Sequence, residues 1–364
     1  MVVDNRYELH SAASAFIASF RDEGDSVNTQ RTYAIRVAQY LTWCAMFGVD
    51  WGDPTFRQLS SFKSWLVEEP LPSRGRKPPT ERRYRSKGTA NAILTTVFGF
   101  LRFCGLQDYA PASVVSKLTE PKQLTFAPPA HDPGENGQFR SISARKLKFK
   151  VAVPGYEWLT RAQVDAIIAS ALHARDRFLV HLMAATGVRI GEALGMRRED
   201  MHLLPDSRTV GCSVVGPHIH VVRREDNANG AVAKARQPRW IPVDEEFAGA
   251  YAAYQHERDE VTEAEGSDFV FVNLFRAPLG AAMKYPSTYE LFKRLAKQAG
   301  FEANPHMCRH YAATEWIRAG VGRDVVQGFM GHVSPVSMNP YVHASDEEKR
   351  KAVDMVAARR EAVK

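Results

Sequence analysis

Long apolar runs are missing from this chain. Its longest uncharged stretches, such as 88–101, fall short of the roughly 20 apolar residues a bilayer-spanning helix needs. The opening Met1-Val2-Val3-Asp4-Asn5-Arg6 lacks the basic-then-apolar order of a signal peptide. Cysteine is scarce: Cys44, Cys104, Cys212 and Cys308 stand far apart with no CxxC pair. Neither a disulfide framework nor a cysteine zinc site is indicated, and reduced thiols in a cytoplasmic protein are expected. There is no P-loop, no dinucleotide fingerprint and no internal repeat.

What is present is an ordinary globular balance, 45% hydrophobic and 24% charged over 364 residues, long enough for two domains. Lys plus Arg is 48 against 41 for Asp plus Glu, giving +7 and a pI near 9.2. That excess favours a polyanionic partner without establishing one.

Hydrophobic spacing makes the first hundred residues helical. Asn28 is placed to cap a helix with apolar positions Tyr33, Val37, Tyr40, Leu41 and Cys44 and with Gly48 past its end. Further helices are expected over 55–67 and 89–103, the latter closed by Gly105, with no strand before about residue 120. The segment 73–87, SRGRKPPTERRYRSK, carries seven basic residues: Arg74, Arg76, Lys77, Arg82, Arg83, Arg85 and Lys87. Its Pro pair and Gly oppose regular structure. It is either a solvated loop or one that tracks a phosphate backbone, with Tyr84 against sugar. A Pro- and Gly-rich stretch follows, basic over 140–150 through Arg145, Lys146 and Lys148 among others, and reads as an interdomain linker able to lie on DNA.

The second domain begins near Tyr156. Helices are expected over 161–172, capped by Thr160, then 176–185, 287–298, 309–319 and 324–330. Strands are expected within 209–222, at 240–243 and at 268–272. The boundaries are therefore 1–120 (helical), 121–155 (linker) and 156–364. The fold class is mainly α with a small antiparallel sheet, an α+β arrangement.

Three segments carry chemistry. In Thr186-Gly187-Val188-Arg189-Ile190-Gly191-Glu192, Gly187 can break one helix and Arg189 open the next, with Glu192 on the same face. In His306-Met307-Cys308-Arg309-His310, His306 and Arg309 are three apart at a helix start, suited to an anion clamp with an imidazole for proton transfer. Gly331-His332 is followed nine residues later by Tyr341, a phenol that becomes a nucleophile once its proton leaves. Each segment alone also fits capping or a surface ion pair; their order and spacing together are more specific.

This combination resembles the tyrosine recombinase, or phage integrase, family. The family pattern is a TGxRxxE box, an HxxRH box, a GH pair and a tyrosine about nine residues on. Here these are Arg189, Glu192, His306, Arg309, His310, His332 and Tyr341. Lys234, eight residues before Pro242, matches the family's hairpin lysine. The extended hairpin is similar to that of integrase-like transposases of mobile elements. The chain departs from the pattern at Met338 and Pro340, where the family has Thr and a helix former; Pro340 disfavours helix just before the nucleophile.

The resemblance implies a core-binding domain and a catalytic domain forming a C-shaped DNA clamp. It implies cleavage and rejoining of duplex DNA at specific recombination sites through a 3′-phosphotyrosyl intermediate, for integration, excision or transposition. Tyr341 is the implied nucleophile, Arg189 and Arg309 hold the phosphate, and Lys234 is the acid for the leaving oxygen. His306 accepts the phenol proton, His332 bonds the phosphate, and Glu192 and His310 support. No cofactor, metal or nucleotide is implied. Implied partners are a tetramer of this chain joined through its tail, where Ser345 and Glu348 form a capping box, and accessory DNA-bending or directionality factors. A type IB topoisomerase, a telomere resolvase and a non-catalytic DNA-binding protein remain as alternatives. His218 and His220 share one strand face, as metal ligands do. With no third ligand evident in the sequence they read as surface residues, and Asp200 reads as a support for arginine.

Overall fold

The chain folds as two units, Met1–Pro154 and Gly155–Lys364. A computed structural model describes residues 1–3, 7–72, 82–123, 141–145, 147–151, 158–233, 235 and 237–331. The expected tail helix at Ser345 lies outside the described residues.

The first unit is built on α1 (Ser11–Asp22), α2 (Val27–Phe47), α3 (Phe56–Glu68), α4 (Lys87–Leu106) and α5 (Val114–Leu118). Side-chain oxygens start the longer helices. Ser26 accepts the Thr29 amide, Thr55 and Gln58 form a reciprocal capping box, and Ser86 accepts the Thr89 amide. Ser26, not Asn28, caps α2, because its extended backbone sets the hydroxyl over the first turn. Gly48 ends α2 at φ 62°, as its position predicts. Gly105 lies inside α4 and does not end it; a Cβ there would stand 3.0 Å from Val115, so this glycine serves close packing with α5. By length and composition α4 could cross a bilayer, contrary to the expectation from run length. Its apolar side chains Ile93, Leu94, Val97, Phe98, Phe100 and Leu101 are at most 6% exposed, packed in the unit's own core.

Part of the Pro/Gly-rich stretch forms a strand pair. β1 (Thr119–Gln123) pairs antiparallel with β2 (Ser141–Arg145), Thr119 opposite Arg145. Beyond it, Leu147 is buried in the first core, and Asn91 of α4 makes two bonds to Phe149. The Asn91 amide donates to the Phe149 carbonyl at 3.0 Å, and its oxygen accepts the Phe149 N–H at 2.8 Å.

The second unit contains α6 (Arg161–Ser170), α7 (Ala174–Thr186), α8 (Ile190–Gly195), β3 (Met201–His202), β4 (His218–Val221), β5 (Arg239–Pro242), α9 (Glu245–Asp259), α10 (Tyr285–Gln298), α11 (Pro305–Arg318) and α12 (Arg323–Met330). Thr160 caps α6, as expected, and Gln163 completes a capping box. The three strands form an antiparallel sheet in the order β3-β4-β5. Helix α7 packs against α6, α9 and α11, and Phe178, Phe247, Tyr254, Phe271 and Phe292 fill the core around it. The architecture is mainly helical with a small antiparallel sheet, as the sequence leads one to expect.

Two strand expectations are corrected. Within 209–222 only His218–Val221 is a strand; Gly211 and Gly216, at φ 81° and 80°, turn the preceding chain. Residues 268–272 form no regular strand, although Val270, Phe271 and Val272 are fully buried. Their backbone groups find partners one at a time. Val270 donates to Met196 at 2.9 Å, and Phe271 accepts from Met283 at 3.0 Å. Arg258 of α9, 2% exposed, donates to the carbonyls of Phe269, Val270, Ala264 and Ser267 at 2.6–3.1 Å, and Tyr254 donates to Val270 at 2.6 Å. A buried carbonyl satisfied by a side chain needs no neighbouring strand.

Candidate active site

Helix α7 ends on Gly187 at φ 62°, a conformation a side chain resists. A Cβ there would lie 2.9 Å from the Met330 sulfur and 3.2 Å from Ala312, so the turn, α11 and α12 meet at this glycine. Two residues on, Arg189 is the N-cap of α8 and sits just ahead of the helix. The Glu192 carboxylate accepts the Arg189 amide at 2.9 Å and its guanidinium at 3.1 Å.

Glu192 is 3% exposed and has a second cationic partner. Arg239 of β5 donates to it at 2.8 and 3.4 Å and to the Phe329 carbonyl of α12 at 2.7 Å. Burial alone would raise the Glu192 carboxyl. The Arg239 charge and hydrogen bonds, with those of Arg189, hold it below the ordinary carboxylate range. One buried carboxylate thus orients two arginines from different elements.

Helix α11 starts at Pro305, with Asn304 accepting the His306 amide at 3.0 Å. His306 is exposed and Arg309 is fully buried. Arg309 donates to the Gly187 carbonyl at 2.6 Å and to the Met330 carbonyl, bonding the ends of α7 and α12. The His306 and His310 rings are 4.6 Å apart and nearly perpendicular. Burial, then the His306 and Arg309 charges, push His310 down to about 4, so it is neutral at pH 7. Helix α12 closes on Gly331 at φ 59°, where a Cβ would lie 2.9 Å from the Arg239 guanidinium and 3.1 Å from Ala235.

Glu192 thus holds Arg189 and Arg239, while Arg309 bonds the main chain at Gly187, two residues before Arg189, and at Met330, next to Gly331. Lys234, His332 and Tyr341 lie outside the described residues; Ala235, next to Lys234 in sequence, and Gly331, next to His332, are adjacent in space. The three arginines Arg189, Arg239 and Arg309 outnumber the one carboxylate, Glu192, which pairs with the first two, so this group is electropositive and suited to a phosphate. Arg239 was not among the expected site residues. Its signal was strand alternation: it shares a face with fully buried Ile241, so its guanidinium requires an interior partner. Asp200 does support an arginine: the Arg224 guanidinium donates to it at 2.8 and 2.9 Å, and it also accepts the main-chain N–H of Arg197 at 2.8 Å.

Among the basic candidates, Arg82, Arg83 and Lys87 are exposed, ahead of or at the start of α4. Arg85 is half-buried over the Trp65 ring and bonds the Leu66 carbonyl at 3.4 Å, so it is partly structural. Arg145 is exposed and donates to Thr95, and Lys148 is exposed beside the Phe149 anchor. Arg74, Arg76, Lys77 and Lys146 lie outside the described residues.

Similarity to known proteins agrees with this arrangement. Transposase A from transposon Tn554 of Staphylococcus aureus is 29% identical, over 99% of this chain and 95% of its own length. Tyrosine recombinase XerC of Roseiflexus sp. (strain RS-1) is 24% identical, over 95% of this chain and 93% of its own. Among solved structures, the Tn1549 transposon integrase in complex with circular intermediate DNA aligns with a TM-score of 0.59 at 16% identity, covering 94% of this chain and 98% of that one; it shares the fold. Residues 157–348 match the phage integrase family model. Since that match takes in more than half of the chain, including every residue of the arginine network, this protein belongs to the phage integrase family, the tyrosine recombinases.

Proposed function

We propose that this chain is a site-specific DNA recombinase that moves a mobile element, of the integrase-like transposase branch, acting on double-stranded DNA in the cytoplasm. The observation that carries the reading is the set of arginines: Glu192 holds Arg189 and Arg239, and the fully buried Arg309 bonds the carbonyls of Gly187, two residues before Arg189, and of Met330. Full-length likeness to a transposase favours a mobile element over a chromosomal resolution role.

Tyr341 attacks a DNA phosphodiester, its phenol oxygen bonding to phosphorus as the 5′-oxygen of the next nucleotide leaves. A 3′-phosphotyrosyl bond and a free 5′-hydroxyl result. Arg189 and Arg309 offset the charge that grows on the non-bridging oxygens. Lys234 gives the leaving oxygen its proton, His306 takes the phenol proton, and His332 bonds the phosphate. His310, neutral at working pH, packs beside His306 without adding a charge. The arginines supply the charge stabilisation, so the chemical step calls for no metal at the phosphate and no nucleotide. Rejoining reverses the step with a different 5′-hydroxyl. Four protomers, joined by their tails, assemble on two sites, with accessory factors setting direction. The exposed arginines and lysines before α4 and around Phe149 contact backbone phosphates.

The test is a nicked substrate from which the leaving strand diffuses away. The wild-type chain is expected to accumulate a covalent DNA adduct, and Tyr341→Phe to bind the site but form none. No adduct from the wild type would leave a DNA-binding protein without cleavage. Supercoil relaxation without site preference would make it a topoisomerase. An adduct from the Phe variant would remove Tyr341 from the chemistry.

A further inference from the structure

Away from the arginine network, four donor side chains converge at the β3–β4 end of the sheet. His202 and His218 are directly opposed across β3 and β4. His220 is two residues along β4 on the same face, and Cys212 comes from the turn between the strands. Each offers one donor atom, and the four donors all lie within 4.8 Å of one another. His218 Nε2 is 3.1 Å from His220 Nε2, and the Cys212 sulfur is 3.3 and 3.5 Å from those two nitrogens. The His202 ring is 5.0 Å from that of His218 and 4.6 Å from that of His220. His218 is fully buried, which overturns its reading as a surface residue, and His220 is half-buried.

Proton accounting shows what the cluster lacks. His218 Nδ1 lies 2.7 Å from the Gly216 carbonyl, which can only accept, so Nδ1 carries the hydrogen and Nε2 a lone pair. His202 Nε2 lies 2.9 Å from the Glu199 carbonyl, so its lone pair is on Nδ1. That Nδ1 is buried and has no hydrogen-bond partner. Protons on His220 and Cys212 could satisfy His218, but they leave His202 Nδ1 orphaned. A cation bound by all four would satisfy every lone pair at once. Ring N–H groups held by main-chain carbonyls are also the outer-shell arrangement that orients metal-binding histidines.

We propose that His202, Cys212, His218 and His220 form a structural zinc site. Three neutral imidazoles and one thiolate are a set zinc accepts in tetrahedral geometry. Bonds of about 2.05 Å to nitrogen and 2.3 Å to sulfur give tetrahedral edges of about 3.3 Å and 3.6 Å, near the separations among His218, His220 and Cys212, with the His202 donor within 4.8 Å of the other three. Binding releases the Cys212 thiol proton to solvent. With four protein ligands there is no open position for substrate, so the ion ties the turn preceding β4 to the sheet. None of the four side chains bonds Arg189, Glu192 or Arg309 among the described residues. Cys44, Cys104 and Cys308 are buried and their thiols pushed up to about 12 by that burial, so they offer no competing thiolate.

The full-length chain, stripped by chelator, is titrated with Zn2+ against a chromophoric competitor and, separately, with Co2+. Expected are one Zn2+ per chain, a zinc-dependent rise in melting temperature, and a tetrahedral Co2+ spectrum with a thiolate charge-transfer band. Cys212→Ser should abolish that band. His220→Ala should weaken Zn2+ binding more than about 100-fold, beyond the loss typical of an outer-shell partner. His256→Ala, at an exposed histidine on α9, should change neither. No stoichiometric uptake, no charge-transfer band in the wild type, or unchanged affinity in both ligand variants would each overturn the site. Covalent cleavage is read separately, so failure here leaves the recombinase reading standing.

Discussion

Arg239→Ala separates an architectural arginine from those proposed to face the phosphate. The wild-type side chain is 10% exposed, bonds both oxygens of a carboxylate that is 0% exposed, and donates to the Phe329 carbonyl. Deleting one partner of a buried ion pair costs about 3–5 kcal/mol. The low end applies, because Arg189 keeps its two bonds to Glu192. The abandoned Phe329 carbonyl adds about 1 kcal/mol, for an expected loss of about 3–4 kcal/mol. Lysine keeps the charge but not the fork, and should lose roughly half as much. Glu192 also fixes a pH signature. Its folded-state value is depressed, so its contribution is full above the unfolded carboxylate value of about 4.3 and is lost as pH falls through the folded value. In the Ala variant burial is opposed by Arg189 alone and the depression shrinks. The stability gap between wild type and variant should therefore narrow below about pH 4. Urea titration followed by tryptophan fluorescence measures it, each unit's transition fitted separately; Trp316 against Phe329 reports directly on α12. A gap under about 0.5 kcal/mol, or one independent of pH, would mean that Arg189 alone suffices for Glu192.

Arg309→Ala should slow covalent adduct formation by about 10²-fold or more, and Arg309→Lys should also be impaired because one ammonium cannot bridge the Gly187 and Met330 carbonyls; a fully active Lys variant would reduce its role to charge. Neutralising Arg82, Arg83 and Lys87, while sparing Arg85 on Trp65, should weaken specific and non-specific DNA binding alike and flatten the plot of log affinity against log salt by about 0.9 for each phosphate the chain no longer neutralises. Weaker discrimination at an unchanged salt slope would mean that they read bases. Single-turnover cleavage should proceed at the same rate with Mg2+ omitted as with it added, whereas a Mg2+-dependent rate would place a metal at the phosphate.

Helix starts and stops were the most legible part of this sequence, because caps act locally: Thr160 and Gly48 do what their positions predict. Local signals also misled where packing decided the matter. Gly105 looks like a helix stop and is a contact with Val115, and 268–272 looks like a strand although side chains of α9 hold the Phe269 and Val270 carbonyls. Motif spacing named Arg189, Glu192 and Arg309, which the fold brings together. It did not name Arg239, because a strand arginine carries no mark of a carboxylate 47 residues away. The His202, Cys212, His218 and His220 cluster was half visible: two histidines share a strand face, but the other donors approach only through turns that two left-handed glycines make.

The guanidinium of Arg258 implies an order of folding. It gathers four carbonyls spanning Ala264 to Val270, a segment with no ladder of its own. A collector fixed on α9 can do this only after that helix exists, and α9 is stabilised by packing on α7. The α7–α9 pair is thus expected to form early, with 264–272 condensing onto it afterwards. In φ-value terms, substitutions at Phe178 or Phe247 should slow refolding, while Arg258→Met should chiefly hasten unfolding. An interior that depends on one side chain for so many main-chain bonds also has a single point at which it opens. Native-state amide exchange at Val270 and Met283 would register that opening as one cooperative event.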